Sequence, residues 1–275
     1  MLKQSLHYIA HLITGKRRHQ PFFERLHRFS LKGMNIGEGA LFADDGELAA
    51  LRHVRTMLEK SEGPYIVFDV GANQGAYTTA LEKEFRGTKT SIFSFEPSPT
   101  SFALLRAQAG AKENISLHNI ALGEHHGTQT LYADTPGSSL ASLTRRRLDH
   151  FHLTMDATET VTVKTLDAFC EEHKIPRIHF LKMDVEGQEL SVLRGGGEMI
   201  ASGAIDFIQF EFGGCNIDSR TYFQDFYYLL APQYNLYRIV KDGLFPLHRY
   251  QETYEVFVTT NFLAKRKNLP GNHAI

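Results

Sequence analysis

The sequence predicts an α/β fold in which crossover helices connect the strands of a mostly parallel sheet. Two observations support this prediction. From residue 65 onward, short apolar runs alternate with segments whose apolar residues recur at helical spacing. The 275 residues, of which 42% are hydrophobic and 22% charged, supply enough apolar material for a large core without disulfides or metals.

Seven strands and six helices follow from this alternation. The strands are predicted at residues 65–70, 90–95, 114–119, 178–183, 205–210, 236–240 and 254–259. The helices are predicted near residues 45–60, 75–86, 98–111, 166–174, 187–194 and 219–230. The start of the third helix is marked by Ser98, a good N-cap residue, and by Pro99, which suits the first helical position.

Residues 124–164 interrupt the alternation, and we interpret them as an insertion between the third and fourth strands. In such folds, loops at the carboxyl ends of parallel strands usually provide substrate contacts. The insertion carries three consecutive basic residues, Arg145, Arg146 and Arg147. Such a run is typically a solvated helical face, and the alternative is contact with a phosphate on a substrate.

Charge is unevenly distributed along the chain. Residues 1–32 contain seven Lys or Arg residues and one Glu, a net charge of +6, whereas the other 23 basic and 30 acidic residues give −7. Apolar residues recur at helical spacing within residues 1–20, which predicts an amphipathic helix packed on the main domain or, alternatively, lying on a membrane surface. The total charge of −1 argues against nucleic-acid binding.

A glycine-containing turn follows the first predicted strand. Asp69 lies at the end of that strand, Gly71, Asn73 and Gly75 follow, and Glu96 closes the second strand 21 residues after Gly75. In doubly wound folds such a turn binds a cofactor, and the acid can accept hydrogen bonds from ribose hydroxyls. The GxGxxG pattern of dinucleotide sites is absent, and Asp69 would repel a diphosphate. S-adenosylmethionine, a nucleoside with a cationic amino-acid part, fits the turn better.

Over roughly residues 65–212, the sequence resembles the FkbM family of S-adenosylmethionine-dependent methyltransferases. The segments that carry the resemblance are FDVGANQG (68–75), FEPSP (95–99), NIALG (119–123), SSL (138–140), VKTLDAF (163–169), LKMDVEGQELSVLRGG (181–196) and IQFEF (208–212). The resemblance implies a class I methyltransferase (Rossmann-like) fold, with a seven-stranded sheet whose last strand is antiparallel. It also implies methyl transfer to a hydroxyl of a sugar, glycolipid or related metabolite.

The resemblance further implies roles for residues at the matching positions. The methionine side of the cofactor pocket would be formed by Asp69, Gly71, Asn73 and Gly75. Glu96 would hold the ribose, Asn119 and Ala121 would border the adenine, and Asp184 and Glu186 would face the transferring methyl group. The SSL segment at residues 138–140 is expected near the acceptor.

An alcohol acceptor is a weak nucleophile, so a base that accepts its proton helps the transfer. Asp184 or Glu186 is our first candidate for this base or for orienting the hydroxyl, and Glu211, at the end of the fifth strand, is the second. His125 and His126 follow the third strand and are weaker candidates. The simpler alternatives are that Asp184 only contacts the cofactor and that Glu186 only stabilises a helix N-terminus.

The sequence also allows a metal site and two other functions. Magnesium bound by Asp184, Glu186, Glu211 and Asn216 would suit oxygen chemistry, but these residues form no tight ligand cluster in sequence, so we predict no metal. A nicotinamide-dependent oxidoreductase and a non-catalytic cofactor-binding module are the alternative functions. Lys182 is expected to be a structural partner of one of the acids.

These interpretations divide the chain into a helical N-terminal extension (1–60), a catalytic domain (61–264) and a flexible tail (265–275). The two cysteines, Cys170 and Cys215, have no CxxC spacing, which argues against a disulfide framework or a zinc site. We therefore expect a cytoplasmic protein that acts on a small-molecule, sugar or lipid-linked glycan acceptor. Peripheral membrane contact would occur through residues 1–32.

Overall fold

The computed structural model describes residues 13–37, 46–59 and 63–269. Within these ranges, the strands are β1 (Tyr65–Val70), β2 (Thr90–Phe95), β3 (Ile115–His118), β4 (Ala121–Leu122), β5 (Gly127–Ala133), β6 (Ala157–Lys164), β7 (Ile178–Met183), β8 (Ile205–Phe212), β9 (Tyr234–Val240), β10 (Gly243–Leu247) and β11 (Thr260–Arg266). The α-helices are α1 (Gln20–Gly33), α2 (Glu47–Leu58), α3 (Ala76–Glu84), α4 (Pro99–Ala109), α5 (Leu166–Glu172), α6 (Glu189–Arg194), α7 (Gly197–Ala201), α8 (Cys215–Ser219) and α9 (Phe223–Leu230). Three short 3₁₀ turns complete the described secondary structure, at Arg17–His19, Asp149–Phe151 and Glu252–Tyr254.

The main sheet has the strand order β10-β9-β11-β8-β7-β1-β2-β3. β1 pairs in parallel with β2 and β7, and the parallel pairing continues from β7 to β8 and from β2 to β3. The last strand, β11, runs antiparallel between β8 and β9. The predicted class I α/β fold, with its antiparallel last strand, is therefore confirmed, and the sheet has eight strands rather than seven.

One predicted strand was wrong, and one strand was missed. The run at residues 254–259 forms no strand. The last strand is Thr260–Arg266, and it ends two residues after Ala264, the predicted end of the domain. The aromatic side chains of the run pack instead as Tyr254 on Phe223 and Phe257 on Phe212. The eighth strand, β10, was missed although Asp242 precedes Gly243 between two apolar runs, which is a hairpin signal.

The core lies on both faces of the sheet because alternate side chains of a strand point to opposite sides. Phe68 and Val70 of β1 belong to the larger cluster, together with α5 and α9 side chains. Tyr65 and Val67 belong to the second cluster, onto which α2 packs its buried residues Ala50, Leu51, Val54 and Leu58. Helix α2 is therefore integral to the core, although the division at residue 60 itself stays a prediction.

The predicted insertion supplies β5 and β6, which form a separate three-stranded sheet with β4 in the order β4-β6-β5. The loop between β5 and β6 packs on the carboxyl edge of the main sheet, where Ser142 Oγ donates to the carbonyl of Glu186 at 2.8 Å. Gln188 Nε2 likewise donates to Thr144 Oγ1 at 2.7 Å. Residues 145–147 lie in this loop and form no helix, so the interpretation of the basic run as a helical face was wrong.

The two described α-helices of the predicted N-terminal extension differ: α2 packs on the core, and α1 does not. The predicted helix over residues 1–20 lies mostly outside the described residues. Helix α1 buries none of its side chains, and Phe22, Leu26 and Phe29 are 57%, 45% and 74% exposed. Across the described ranges, no helix is both long and apolar enough to cross a bilayer.

Candidate active site

A cavity of about 450 Å³ lies at the carboxyl ends of β1, β2, β7 and β8. We call it the first cavity. Seven of the predicted site residues line it: Gly71, Asn73, Glu96, Ala121, Asp184, Glu186 and Glu211. The topology brings them together because parallel strands present their carboxyl ends at one edge of a sheet. Leu140 and its neighbours from the insertion also line the cavity, and contact of the SSL segment with an acceptor stays a prediction.

The glycine turn is held between two strands. The amides of Gly71 and Ala72 both donate to the carbonyl of Phe95 on β2, and the amide of Asp184 donates to the carbonyl of Val70. Gly71 has a φ of +82°, and a Cβ built there would overlap the carbonyl oxygen of Asp184. Glycine at position 71 thus lets the turn lie directly against the end of β7.

Glu96 is the best-defined polar group of the first cavity. It is 6% exposed, and its Oε2 and Oε1 accept the backbone N–H groups of Asn73 and Ser98, both at 2.8 Å. Burial raises the pKa of Glu96 to about 7, although the two backbone donors partly offset this effect. Each oxygen keeps a second lone-pair direction for a ligand hydroxyl.

Asp69 lies beneath the first cavity and does not line it. Its carboxylate is fully buried, accepts the hydroxyl of Thr78 at 2.6 Å, and lies 3.8 Å from Lys182 Nζ. Burial raises the pKa of Asp69, while Lys182 opposes the rise. Burial lowers the pKa of Lys182, but the charges of Asp184 and Asp69 outweigh it, so the pKa of Lys182 is raised overall. Lys182 also reaches Asp184 Oδ2 at 3.3 Å, and it is the structural partner we expected.

Two further predicted cofactor residues, Asn119 and Gly75, do not line the first cavity. The side-chain amide of Asn119 donates to the carbonyls of Glu96 and Pro97 at 2.8 and 2.9 Å, which fixes the loop after β2. Gly75 begins α3 in a left-handed conformation. Cofactor contact by these two residues stays a prediction. Sequence reasoning missed apolar residues of the wall, among them Ile120, Leu122 and Leu131, which no local signal distinguishes from core.

An acidic cluster follows β7. Glu189 is fully buried and accepts the amides of Val185 and Gly187 at 2.9 and 3.1 Å, so its role is to hold the loop. Glu186 has a φ of +52° and forms an ion pair with Arg146 from the insertion. Burial and the charge of Asp184 raise the pKa of Glu186 to about 8, even though Arg146 favours the charged form.

Glu211 lies near the end of β8 and lines two cavities. The second cavity, of about 840 Å³, shares Leu140, Glu186, Glu211 and Thr259 with the first. No hydrogen bond or ion pair to the Glu211 carboxylate occurs among the described residues. Burial, and then the charges of Asp184 and Glu186, raise the pKa of Glu211 well above its ordinary value. A raised pKa makes the deprotonated carboxylate a stronger proton acceptor than an ordinary Glu.

The remaining candidates lie elsewhere. His125 and His126 are exposed and line neither cavity; His126 Nε2 lies 3.4 Å from Thr165 Oγ1. Asn216 is buried, where its Oδ1 accepts the amide of Gly213. Among the described residues, no group of three or more His, Cys, Asp or Glu side chains is arranged to hold a metal ion.

The sequence was compared with models of protein families, with curated proteins and with solved structures. The sequence profile described as "Methyltransferase FkbM domain" matches residues 69–239. The chain is 26% identical over 158 residues to the 2-O-methyltransferase NoeI of Sinorhizobium fredii, covering 54% of this chain and 63% of that protein. It is 28% identical over 145 residues to the hexuronic acid methyltransferase AglP of Haloferax volcanii, covering 52% and 54%.

The matches thus span little more than half the length of these curated relatives. Among solved structures, the methyltransferase FkbM of Methylobacillus flagellatus is 17% identical, with a TM-score of 0.41 over 73% of this chain and 43% of that one.

Proposed function

Because the chain belongs to the FkbM methyltransferase family, we propose that it transfers a methyl group from S-adenosylmethionine to a hydroxyl of a sugar-containing acceptor. The observation that carries the proposal is Glu96, a buried carboxylate fixed by two backbone amides beside a glycine turn. Ribose hydroxyls are suitable donors to such a carboxylate. The names of two relatives, a 2-O-methyltransferase and a hexuronic acid methyltransferase, support the acceptor class.

The residues of the first cavity fit this cofactor. Gly71 and Asn73 would border its amino-acid part, Glu96 its ribose, and Ala121 its base. Asp184 and Glu186 place acidic groups at the cavity wall, which complement the sulfonium and ammonium groups. The cofactor would supply an electrophilic methyl group on a good leaving group. The main tasks left to the protein are alignment and proton removal.

We assign the proton transfer to Glu211. Methylation of the acceptor oxygen would release the hydroxyl proton, which a base of the protein must accept. Asp184 is paired with Lys182, and Glu186 is paired with Arg146. Glu211 has no such partner among the described residues and lines both cavities. Glu186 and Asp184 would then orient the acceptor and complete the charge complementarity.

Calorimetric titration with S-adenosylhomocysteine tests the cofactor site through its pH dependence. Ribose hydroxyls favour the charged form of Glu96, so binding must lower its pKa from about 7. The affinity is therefore expected to rise as the pH is raised toward 7 and to level off above it. Glu96→Gln should weaken binding on the order of 100-fold, because the amide lacks the negative charge and one of the two acceptor oxygens that the ribose hydroxyls would use.

Glu113→Gln, at an exposed acid outside both cavities, is the matched control and should bind like the wild type. A wild-type protein that binds neither S-adenosylmethionine nor its product would refute the proposal. Cofactor binding without methyl transfer to any extract fraction would support the non-catalytic alternative.

We further propose that the N-terminal arm, defined as residues 1–32, contacts an anionic membrane surface. In α1, Phe22, Leu26 and Phe29 share one exposed face, with Arg25 and Arg28 beside it. Basic residues flanking an exposed aromatic face are typical of interfacial helices. The net charge of +6 on the arm complements anionic lipid, where each basic residue contributes about 1 kcal/mol near the surface.

Deletion of residues 1–32 is expected to abolish sedimentation with phosphatidylglycerol-containing vesicles and to leave S-adenosylhomocysteine affinity unchanged. Phe22→Ser with Phe29→Ser in the full chain should weaken sedimentation in the same direction, because both rings are more than half exposed. Neutral phosphatidylcholine vesicles serve as the control. Undiminished sedimentation of the truncated protein with anionic vesicles would rule out this role of the arm.

A further inference from the structure

The wall of the second cavity carries both acidic and basic groups. The acids that it shares with the first cavity are Glu186 and Glu211. The basic residues that line it are Arg145, Arg146, Arg147, His150 and Arg220. If the methyl acceptor binds here, with its hydroxyl at Glu211, the rest of the acceptor must contact this basic wall.

Two of the arginines are paired with described acids. Arg145 Nη2 lies 2.7 Å from Asp156 Oδ1 at the surface, and Arg146 is paired with Glu186. Arg146 is only 9% exposed, and its Nε is a buried donor without an acceptor among the described residues. Because buried donors are nearly always paired in folded proteins, this orphaned group indicates a wall that a ligand completes.

The other two arginines have no described acidic partner. Arg147 and Arg220 are both exposed, and no ion pair or hydrogen bond to either guanidinium occurs in the described part of the chain. Asp218 lines the same cavity and keeps its charge; its Oδ2 accepts the backbone amide of Arg147 at 3.1 Å, and it forms no ion pair with a guanidinium in the described part of the chain. Two guanidinium groups without a described ion-pair partner in one cavity wall are suited to binding an anion through paired N–H donors.

The loop that carries Arg220 is held in place by a buried residue. Asn216 Nδ2 donates to Thr221 Oγ1 at 2.7 Å, and the amide of Thr221 donates back to the carbonyl of Asn216. Phe151 and Phe257 line the same cavity and offer aromatic surface to an acceptor ring. The wall is therefore a pre-formed combination of cationic and aromatic groups.

We propose that the methyl acceptor carries an anionic group, a carboxylate or a phosphate, that Arg147 and Arg220 bind in the second cavity. This inference rests on the proposed methyltransferase function and deepens it. Binding of the anion at the basic wall would leave the acceptor hydroxyl toward Glu211, with the methyl donor in the adjoining cavity. The two arginines are thus specificity-determining residues for a charged acceptor.

The test is titration of the protein loaded with S-adenosylhomocysteine against three probes: glucuronic acid, glucose 1-phosphate and glucose. At least one anionic probe should bind at least tenfold more tightly than glucose, and the preference should weaken as salt is added. Arg147→Gln with Arg220→Gln should remove this preference. Arg52→Gln with Arg106→Gln removes the same charge at positions outside both cavities and should keep it.

The outcomes separate the two proposals. Binding of S-adenosylhomocysteine is measured in every sample, and its absence in the wild type refutes the cofactor site rather than the basic wall. With the cofactor product bound, equal binding of glucose and both anions, no measurable binding of either anion, or a preference that survives Arg147→Gln with Arg220→Gln would overturn the inference. Selective binding of glucuronic acid or of glucose 1-phosphate identifies the carboxylate or the phosphate as the recognised group.

Discussion

Glu211→Gln is expected to slow methyl transfer by about 10²–10⁴-fold, the usual effect of losing a general base. The amide is nearly isosteric with the acid but cannot accept the hydroxyl proton. Affinity for S-adenosylhomocysteine should change little, because the proposed ribose and base contacts lie at Glu96 and Ala121. Turnover is measured with labelled S-adenosylmethionine and the sugar-containing fraction that the wild type methylates.

The pH profile distinguishes a base from a merely structural acid. Because the pKa of Glu211 is raised well above 4.5, the wild-type rate should climb over a pH range higher than that of an ordinary carboxylate. The residual rate of Glu211→Gln should lack this rise. Glu186→Gln is the comparison, since Glu186 shares both cavities but is paired with Arg146. A larger loss in Glu186→Gln than in Glu211→Gln would reverse the assignment.

The edge of the sheet at which the site lies was predictable because apolar runs mark buried strands. β1, β2 and β7 begin and end at the predicted residues. Once three parallel strands are fixed, residues that follow them must converge on one edge. Gly71, Asn73, Glu96 and Asp184 all line the first cavity for this reason.

Whether an individual side chain lines the cavity or lies buried beneath it was harder to predict. Asp69 was expected in the pocket, yet it lies beneath it, directly opposite Lys182 in the parallel register of β1 and β7. A signal existed, because each strand carries one charged residue inside an apolar run, and opposite charges on neighbouring strands stabilise each other. Charge type alone does not show whether an acid faces a ligand or a buried lysine.

The contact between Arg146 and Glu186 could not be predicted from the sequence. Arg146 and Glu186 are 40 residues apart, and the insertion that carries Arg146 folds back on the loop after β7. No local periodicity encodes that approach, so the basic run was assigned to a helical face. Only the folded chain shows that the three arginines differ. Arg145 forms a surface ion pair, Arg146 a buried one, and the Arg147 guanidinium has no described partner.

The second large effect is expected from Gly71→Ala, for which the chain offers a matched control. Gly71 and Gly87 have the same φ of +82°, so alanine carries the same backbone penalty of about 1 kcal/mol at both positions. A Cβ at Gly87 would meet nothing within 4 Å, whereas at Gly71 it would overlap the backbone carbonyl of Asp184. Backbone atoms at the end of β7 cannot move aside as a flexible side chain could.

Gly71→Ala should therefore lower the free energy of unfolding by about 2–4 kcal/mol, the backbone penalty plus an overpacking cost, against about 1 kcal/mol for Gly87→Ala. Denaturant titration of both variants measures the difference. Since the turn also borders the first cavity, Gly71→Ala should weaken S-adenosylhomocysteine binding, and Gly87→Ala should not. Equal destabilisation of the two variants would show that the turn does not pack against β7 as closely as the structure places it.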